Sequence, residues 1–246
     1  MRLAIYYLPI VLLGLAWELA SRLGVVSTRA LPPLTKVLAA WLDLLKTGEL
    51  WSDAGASLWR AAAGLALSIV VGAVLGISMA WWRPLRALVN PLVEALYPLP
   101  KSALIPVTAL WLGFGDASKI LLIFLACMLP VTIGGYNGAR GCEQVMVWSA
   151  RSMGAGRLGV LWDVVVPSAL PELLNGIRTA LALAFILLVS SELIASRDGL
   201  GHLIGTLGEA GVYDAMFAAV LTVAFLGFIA DRLYQQFANW VLRWRA

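Results

Sequence analysis

The chain has little of what enzyme sites and soluble surfaces are built from. Of 246 residues, 13% are charged, one is histidine and two are cysteine. A lone His202 has no second ligand for a metal and no triad companion, so it is expected to be an exposed loop residue. Cys127, inside an apolar run, and Cys142, near its end, lack the spacing of a zinc site or a disulfide framework and read as packing residues. No cluster of His, Asp or Cys is present, which argues against a membrane enzyme. Also missing is a G-x-x-x-x-G-K-S/T phosphate loop; the nearest fragment, Leu99-Pro100-Lys101-Ser102, lacks the glycines that expose backbone amides to phosphate. Nucleotide binding through such a loop is therefore not expected of this chain. The net charge is +4, yet Lys and Arg are scattered between apolar runs rather than gathered into a stripe with stacking aromatics, so no nucleic-acid partner is expected.

What is there is apolar. Hydrophobic residues make up 61% of the chain and the mean hydropathy is +0.87, values of an integral membrane protein. At roughly 20 residues per crossing, the length allows about five to seven spans and no sizeable soluble domain. The N-terminal stretch MRLAIYYLPIVLLGLAWELAS imitates a secretory signal, but its apolar run is long and it reads as an uncleaved first helix, about Leu3 to Ala20. Further crossings are expected at about Leu58–Trp82, Ala103–Phe114, Lys119–Tyr136, Gly176–Ala195 and Ala215–Asn239. Between the first two, Pro32-Pro33 breaks the chain and Thr35 to Leu45 show the spacing of an interfacial amphipathic helix. Five prolines from Pro84 to Pro106 exclude unbroken helix before the third crossing and suggest a cytoplasmic elbow. A glycine-rich loop is expected from Asp198 to Gly211. This gives an all-α polytopic bundle of about six spans, with residues 1–56 a first helix plus extracytoplasmic segment and 57–246 the core.

Counting loop charges favours both termini inside. Eleven basic residues then face the cytoplasm, Arg2 and Arg245 among them, against seven outside, which include Arg60 and Lys119. The longest cytoplasmic loop, about 143–172, contains SARSMGAGRLGVLWDVVVPSALP. It reads as two short helices joined at a glycine, with Ala150 and Gly154 small enough for close packing at the bend. Gly154 can take backbone angles other residues avoid, and Pro167 suits a helix first turn. Such a shape fits a groove on a soluble partner; an amphipathic loop lying on the membrane surface is the plainer reading.

The register of this loop resembles a motif of permeases of bacterial ABC importers, E-A-A, three residues, G, nine residues, I-x-L-P. Here it runs Trp148-Ser149-Ala150, then Gly154, then Val164-Val165-Val166-Pro167, departing at the first two positions. SLWRAAAGL, PLPKSALIPVTALWLGFGDASKI and SSELIASRDGLGHLI extend the resemblance to the nitrate, sulfonate and taurine branch, from Pro32 to about Leu226. The resemblance implies a type I importer permease of the bacterial inner membrane. Its partners would be a second permease copy, two ATPase subunits that hold ATP and Mg, and an extracytoplasmic solute-binding protein. The chain itself would carry no cofactor, metal or enzymatic activity, and its solute would be small and anionic, such as a sulfonate, taurine, nitrate or bicarbonate. Trp148, Ser149, Ala150, Arg151, Gly154, Ala155, Val164 and Pro167 would form the ATPase-coupling loop.

Pathway or gating candidates are Glu192, Ser191, Arg178 and Glu94. Glu192 lies well inside a predicted helix, and is either a pathway group or a structural carboxylate bonded to Ser190, Ser191 or a neighbouring helix. Glu94, with Lys101 seven positions on, is expected to form a local salt bridge or to lie at the interface, and Arg178 to pair with Glu172 or with lipid phosphates. An ATP-independent transporter or channel is the rival class; it would call for internal repeats or paired pathway carboxylates, which the sequence does not display.

Overall fold

The computed structural model describes residues 2–245, with side chains from Leu8 to Trp244. All regular structure among them is helical. The side chains of Arg2 and Arg245, assigned above to the cytoplasmic face, lie outside the described residues.

Helix α1 (Arg2–Arg22) is followed by α2 (Leu34–Thr47), α3 (Glu49–Trp81) and α4 (Arg83–Leu96). A 3-10 turn (Lys101–Leu104) leads into the short α5 (Ile105–Leu112), and α6 (Asp116–Arg140) returns across the bundle. Next come α7 (Gln144–Ser152), α8 (Arg157–Val160), a π turn (Leu161–Val165) and α9 (Val166–Ala195). Then α10 (Leu200–Glu209) and α11 (Tyr213–Val241) complete the bundle, ahead of a terminal 3-10 turn (Arg243–Arg245).

Helices α3, α6 and α9 form the core, and glycine sets how closely they approach. A methyl group at Gly76 would overlap the Thr132 carbonyl oxygen, and one at Gly176 would lie 2.5 Å from the Pro130 oxygen. Gly134 and Gly138 are held likewise against the backbone of Glu172 and Ala169. Between apolar helices in lipid, such backbone proximity replaces the missing hydrophobic drive. Around this seam Ile123, Cys127, Val131, Ala180 and Leu188 are fully packed. Cys127 donates its S–H to the Ala180 carbonyl at 3.2 Å, and both cysteines are free and buried, as their spacing suggested.

Helix α2 packs on α11, where the Trp41 indole donates to Thr222 Oγ1 at 2.9 Å. The N-terminal pieces are tied by Trp17, which donates to the Pro32 carbonyl at 2.8 Å and meets Phe217 edge-on. Helix α10 fills the corner between α9 and α11 with Leu200 and Leu203.

Four helices among the described residues are long and apolar enough to cross a bilayer: Glu49–Trp81, Asp116–Arg140, the continuous Arg157–Ala195 and Tyr213–Val241. The expected first crossing falls within the 21-residue α1. The third does not stand alone: Lys101–Leu112 rises only about 20 Å, against roughly 30 Å of hydrocarbon. Prolines at 98, 100 and 106 confine helix there to short pieces.

Three further expectations change. The Asp198–Gly211 stretch is not a loop but mostly α10, because its glycines are interleaved with Leu200, Leu203, Ile204 and Leu207 at helical spacing. His202 is accordingly half-buried on a helix rather than an exposed loop residue. Pro167 does not open a new segment: helix runs unbroken from Arg157 to Ala195, and the π turn before Pro167 accommodates its missing N–H.

Candidate functional site

The loop 143–172 is one short helix, α7, and a tight reversal into the 39-residue helix that contains α9. The reversal is a Schellman turn. The Ala155 N–H donates to the Ala150 carbonyl at 3.0 Å and the Gly154 N–H to that of Arg151 at 2.9 Å. Gly154 sits at φ +89°, in the left-handed region, and nothing lies within 4 Å of where a Cβ would be. Its requirement is therefore conformational rather than steric.

Ala150, the last small residue of the motif, faces inward at 8% exposure and packs with Ala139, Cys142, Val160, Val165 and Ala169. Val165 is buried, while Val164 and Pro167 are half-buried beside it. The opposite face is left bare: Val145, Met146, Trp148, Met153, Leu158 and Trp162 are exposed, with Ser149, Arg151 and Arg157 among them. The motif spacing thus fixes the bend and its support, and presents an apolar surface edged by the charges of Glu143, Arg151, Arg157 and Asp163.

At the other end of the same long helix lies a buried ionic knot. Arg60 of α3, 1% exposed, donates from Nη1 to Glu192 Oε1 at 2.8 Å, from Nε to Asp116 Oδ1 at 2.6 Å and from Nη2 to Asp198 Oδ1 at 2.5 Å. Glu192, fully buried, also accepts from Ser57 Oγ and, at 3.0 Å, from the Gly201 N–H in the first turn of α10. A side chain at Gly199 or Gly201 would collide with the Glu192 carboxylate or its Cβ, which explains the two glycines of the D-G-L-G run. Ser57 in turn accepts from the Leu200 N–H, and Asp53 from that of Gly199. Lys119, also buried, donates to the Phe114 carbonyl. The Arg60 guanidinium holds the Asp198 carboxyl below the usual aspartate range. Among the described residues, no buried side-chain nitrogen or oxygen lacks a partner. One arginine therefore ties together α3, α6, α9 and the turn before α10.

Glu192 is thus bonded to a neighbouring helix rather than to Ser190 or Ser191, whose hydroxyls donate to the carbonyls of Ile186 and Leu188 on their own helix. Arg60 and Lys119 are not loop charges. The signal for Arg60 was present: Ser57, Arg60, Gly64 and Ser68 recur on one face of α3, and all are buried. Glu94 does not pair with Lys101; it accepts from Asn90 Nδ2 at 2.6 Å. Arg178 does not pair with Glu172. It donates from Nε and Nη2 to Asp231 of α11, at 2.8 and 3.1 Å. Because both partners are substantially exposed, Arg178→Gln is expected to lower stability by less than about 1 kcal/mol, checked by thermal unfolding in detergent.

Residues 68–243 match the family of binding-protein-dependent transport system inner membrane components. The chain belongs to this family. This permease is 35% identical over 226 residues to the taurine transport system permease protein TauC of Escherichia coli, covering 90% of this chain and 82% of that protein. It is 33% identical to the putative aliphatic sulfonates transport permease protein SsuC of the same organism, covering 99% and 92% of the two chains. Among solved structures, the inward facing MetNI methionine ABC transporter gives a TM-score of 0.64 at 18% identity, covering 80% of this chain and 96% of that one, a likeness of fold. The chain is the permease subunit of an ABC importer and a multi-pass membrane protein.

Proposed function

We propose that this permease, with a second copy of itself, forms the pathway for a small anion of the sulfonate, taurine, nitrate or bicarbonate class. In this reading two separate ATPase subunits bind ATP and Mg and grip the loop of α7, while a solute-binding protein delivers the anion at the Arg60 end. Both termini face the cytoplasm of the bacterial inner membrane, residues 1–56 are peripheral, and 57–246 are the moving core. The anion class is supported by the relatives, one named for taurine and another for aliphatic sulfonates. The coupling role is supported above all by the α7 reversal, which exposes Trp148, Met153, Leu158 and Trp162 around a left-handed backbone position that favours glycine. A bilayer surface helix has no need of so defined a bend.

A residue with a Cβ at this position pays roughly 1–2 kcal/mol to enter the left-handed region, about a 5- to 30-fold loss of the docking-competent bend. Gly154→Val is expected to reduce ATP-driven uptake of a sulfonate in reconstituted vesicles by that factor, with the melting temperature in detergent little changed. Uptake equal to that of the unaltered permease would sink the assignment of this loop.

A further inference from the structure

Lys101 stands apart from the other deep cations. It begins the helical piece of 4 and 8 residues that ends at Leu112. The turn after Leu112 leads to Asp116, which bonds Arg60 at the solvent-reached end of the bundle. A rise of about 20 Å over that piece places Lys101 well inside roughly 30 Å of hydrocarbon. Packing agrees, because Leu104 and Ile105 sit with Ala126, ten residues into α6, and with Leu187, eight residues before the end of α9. Sequence reading had put this elbow at the cytoplasmic surface; the contacts of its 3-10 turn with α6 and α9 move it inward.

Arg60 meets three carboxylates, whereas Lys101 forms no ion pair among the described residues. Its Nζ donates to the carbonyls of Leu96, Tyr97 and Leu99, at 2.6, 3.2 and 2.7 Å, at the end of α4. A helix C-terminus offsets only about half a charge, so the site stays positive. The side chain is half-buried, and Pro100, Ser102 and Ala103 beside it are exposed. An uncompensated ammonium at this depth is untenable against lipid, and broken backbone at such depth survives only where it lines protein or water. The open face of the α4–α5 break therefore looks onto the pathway rather than onto the bilayer.

We propose that Lys101 is the anion-attracting group of the translocation pathway, taking the negatively charged head of a sulfonate or similar oxyanion partway across the membrane. The inference rests on the importer reading and gives it a residue. Two copies of the permease would present two such ammonium groups to one passing anion, a ring of the kind that selects anions in pores.

The test uses the complete importer in vesicles, with ethanesulfonate as probe. Lys101→Cys is expected to lower ethanesulfonate uptake by roughly tenfold or more. Native Cys127 and Cys142 are buried, so reagent response is read against the unaltered permease. Aminoethyl methanethiosulfonate, which restores a positive charge at this thiol, should recover most of the uptake; the sulfonatoethyl reagent should not. Equal recovery by an uncharged methyl adduct, a thiol that no water-borne reagent reaches, or undiminished uptake by Lys101→Cys would each overturn the proposal. If the cysteine variant fails to assemble, Lys101→Arg against Lys101→Gln carries the same comparison, retained uptake in the first and lost uptake in the second being expected. Absence of ethanesulfonate uptake by the unaltered permease would instead refute a sulfonate as the solute. Uptake there, with an indifferent Lys101→Gln, would refute only the role of Lys101.

Discussion

Arg60→Ala is expected to lower the stability of the permease by about 3–5 kcal/mol. The arginine is buried and its removal strands Glu192, which is fully enclosed and keeps only the Ser57 hydroxyl and the Gly201 N–H as partners. An unpaired carboxylate in that position is far more damaging than the lost attraction, because it cannot regain water. Asp116 and Asp198, both more than half exposed, would rehydrate and add little. The signature is therefore non-additivity. Glu192→Gln combined with Arg60→Met should be less destabilising than the sum of the two single changes, measured by thermal unfolding in detergent. Equal and additive losses would mean that Arg60 and Glu192 act on stability separately.

Gly76→Val comes next in size, at about 3 kcal/mol. The added Cβ would overlap the Thr132 carbonyl oxygen and stand 2.9 Å from the Tyr136 nitrogen. These are backbone atoms of α6 and cannot rotate away, so α3 and α6 must separate along their longest shared seam. Separation forfeits the close contacts at Gly64 against Ile123 and at Gly72 against Val131 as well. Membrane yield and melting temperature should both fall sharply, and Gly55→Val, where nothing lies within 4 Å, should leave them nearly unchanged. A melting temperature for Gly76→Val within a degree or two of the unaltered permease would show that the seam is looser than its geometry implies.

Much of this was legible in the sequence, and the failures share a cause. Composition gave the membrane class, and the small residues of α3 foretold close helix packing. The spacing from Ala150 to Gly154 located a bend that the structure resolves into a Schellman turn. What misled was treating every charge outside an apolar window as a loop charge. Arg60 and Lys119 lie at the ends of the predicted crossings and look exposed by hydropathy; only the meeting of α3, α6 and α9 reveals that they are buried. Arg178 was matched to Glu172, a neighbour along its own helix, although its partner Asp231 lies on α11, beyond the reach of spacing. Glycine produced the opposite error, since in Leu200–Glu209 it marks close packing instead of a loop.

The π turn at Leu161–Val165 sits in a helix that runs 39 residues, from the foot of the α7 bend to the Glu192 knot. At 1.5 Å per residue that is about 58 Å, roughly twice the hydrocarbon thickness. A rod of this length magnifies small rotations: a swing of about 5° at one end displaces the other by about 5 Å, more than a salt bridge can stretch. The wide turn, with Pro167 and Pro171 just beyond it, is the stretch where the rod's backbone hydrogen-bond ladder is interrupted. In the coupling proposed above, slack there would set how much angular travel at the Arg157 end arrives at the Arg60–Glu192 clasp as strain, and how much is dissipated on the way.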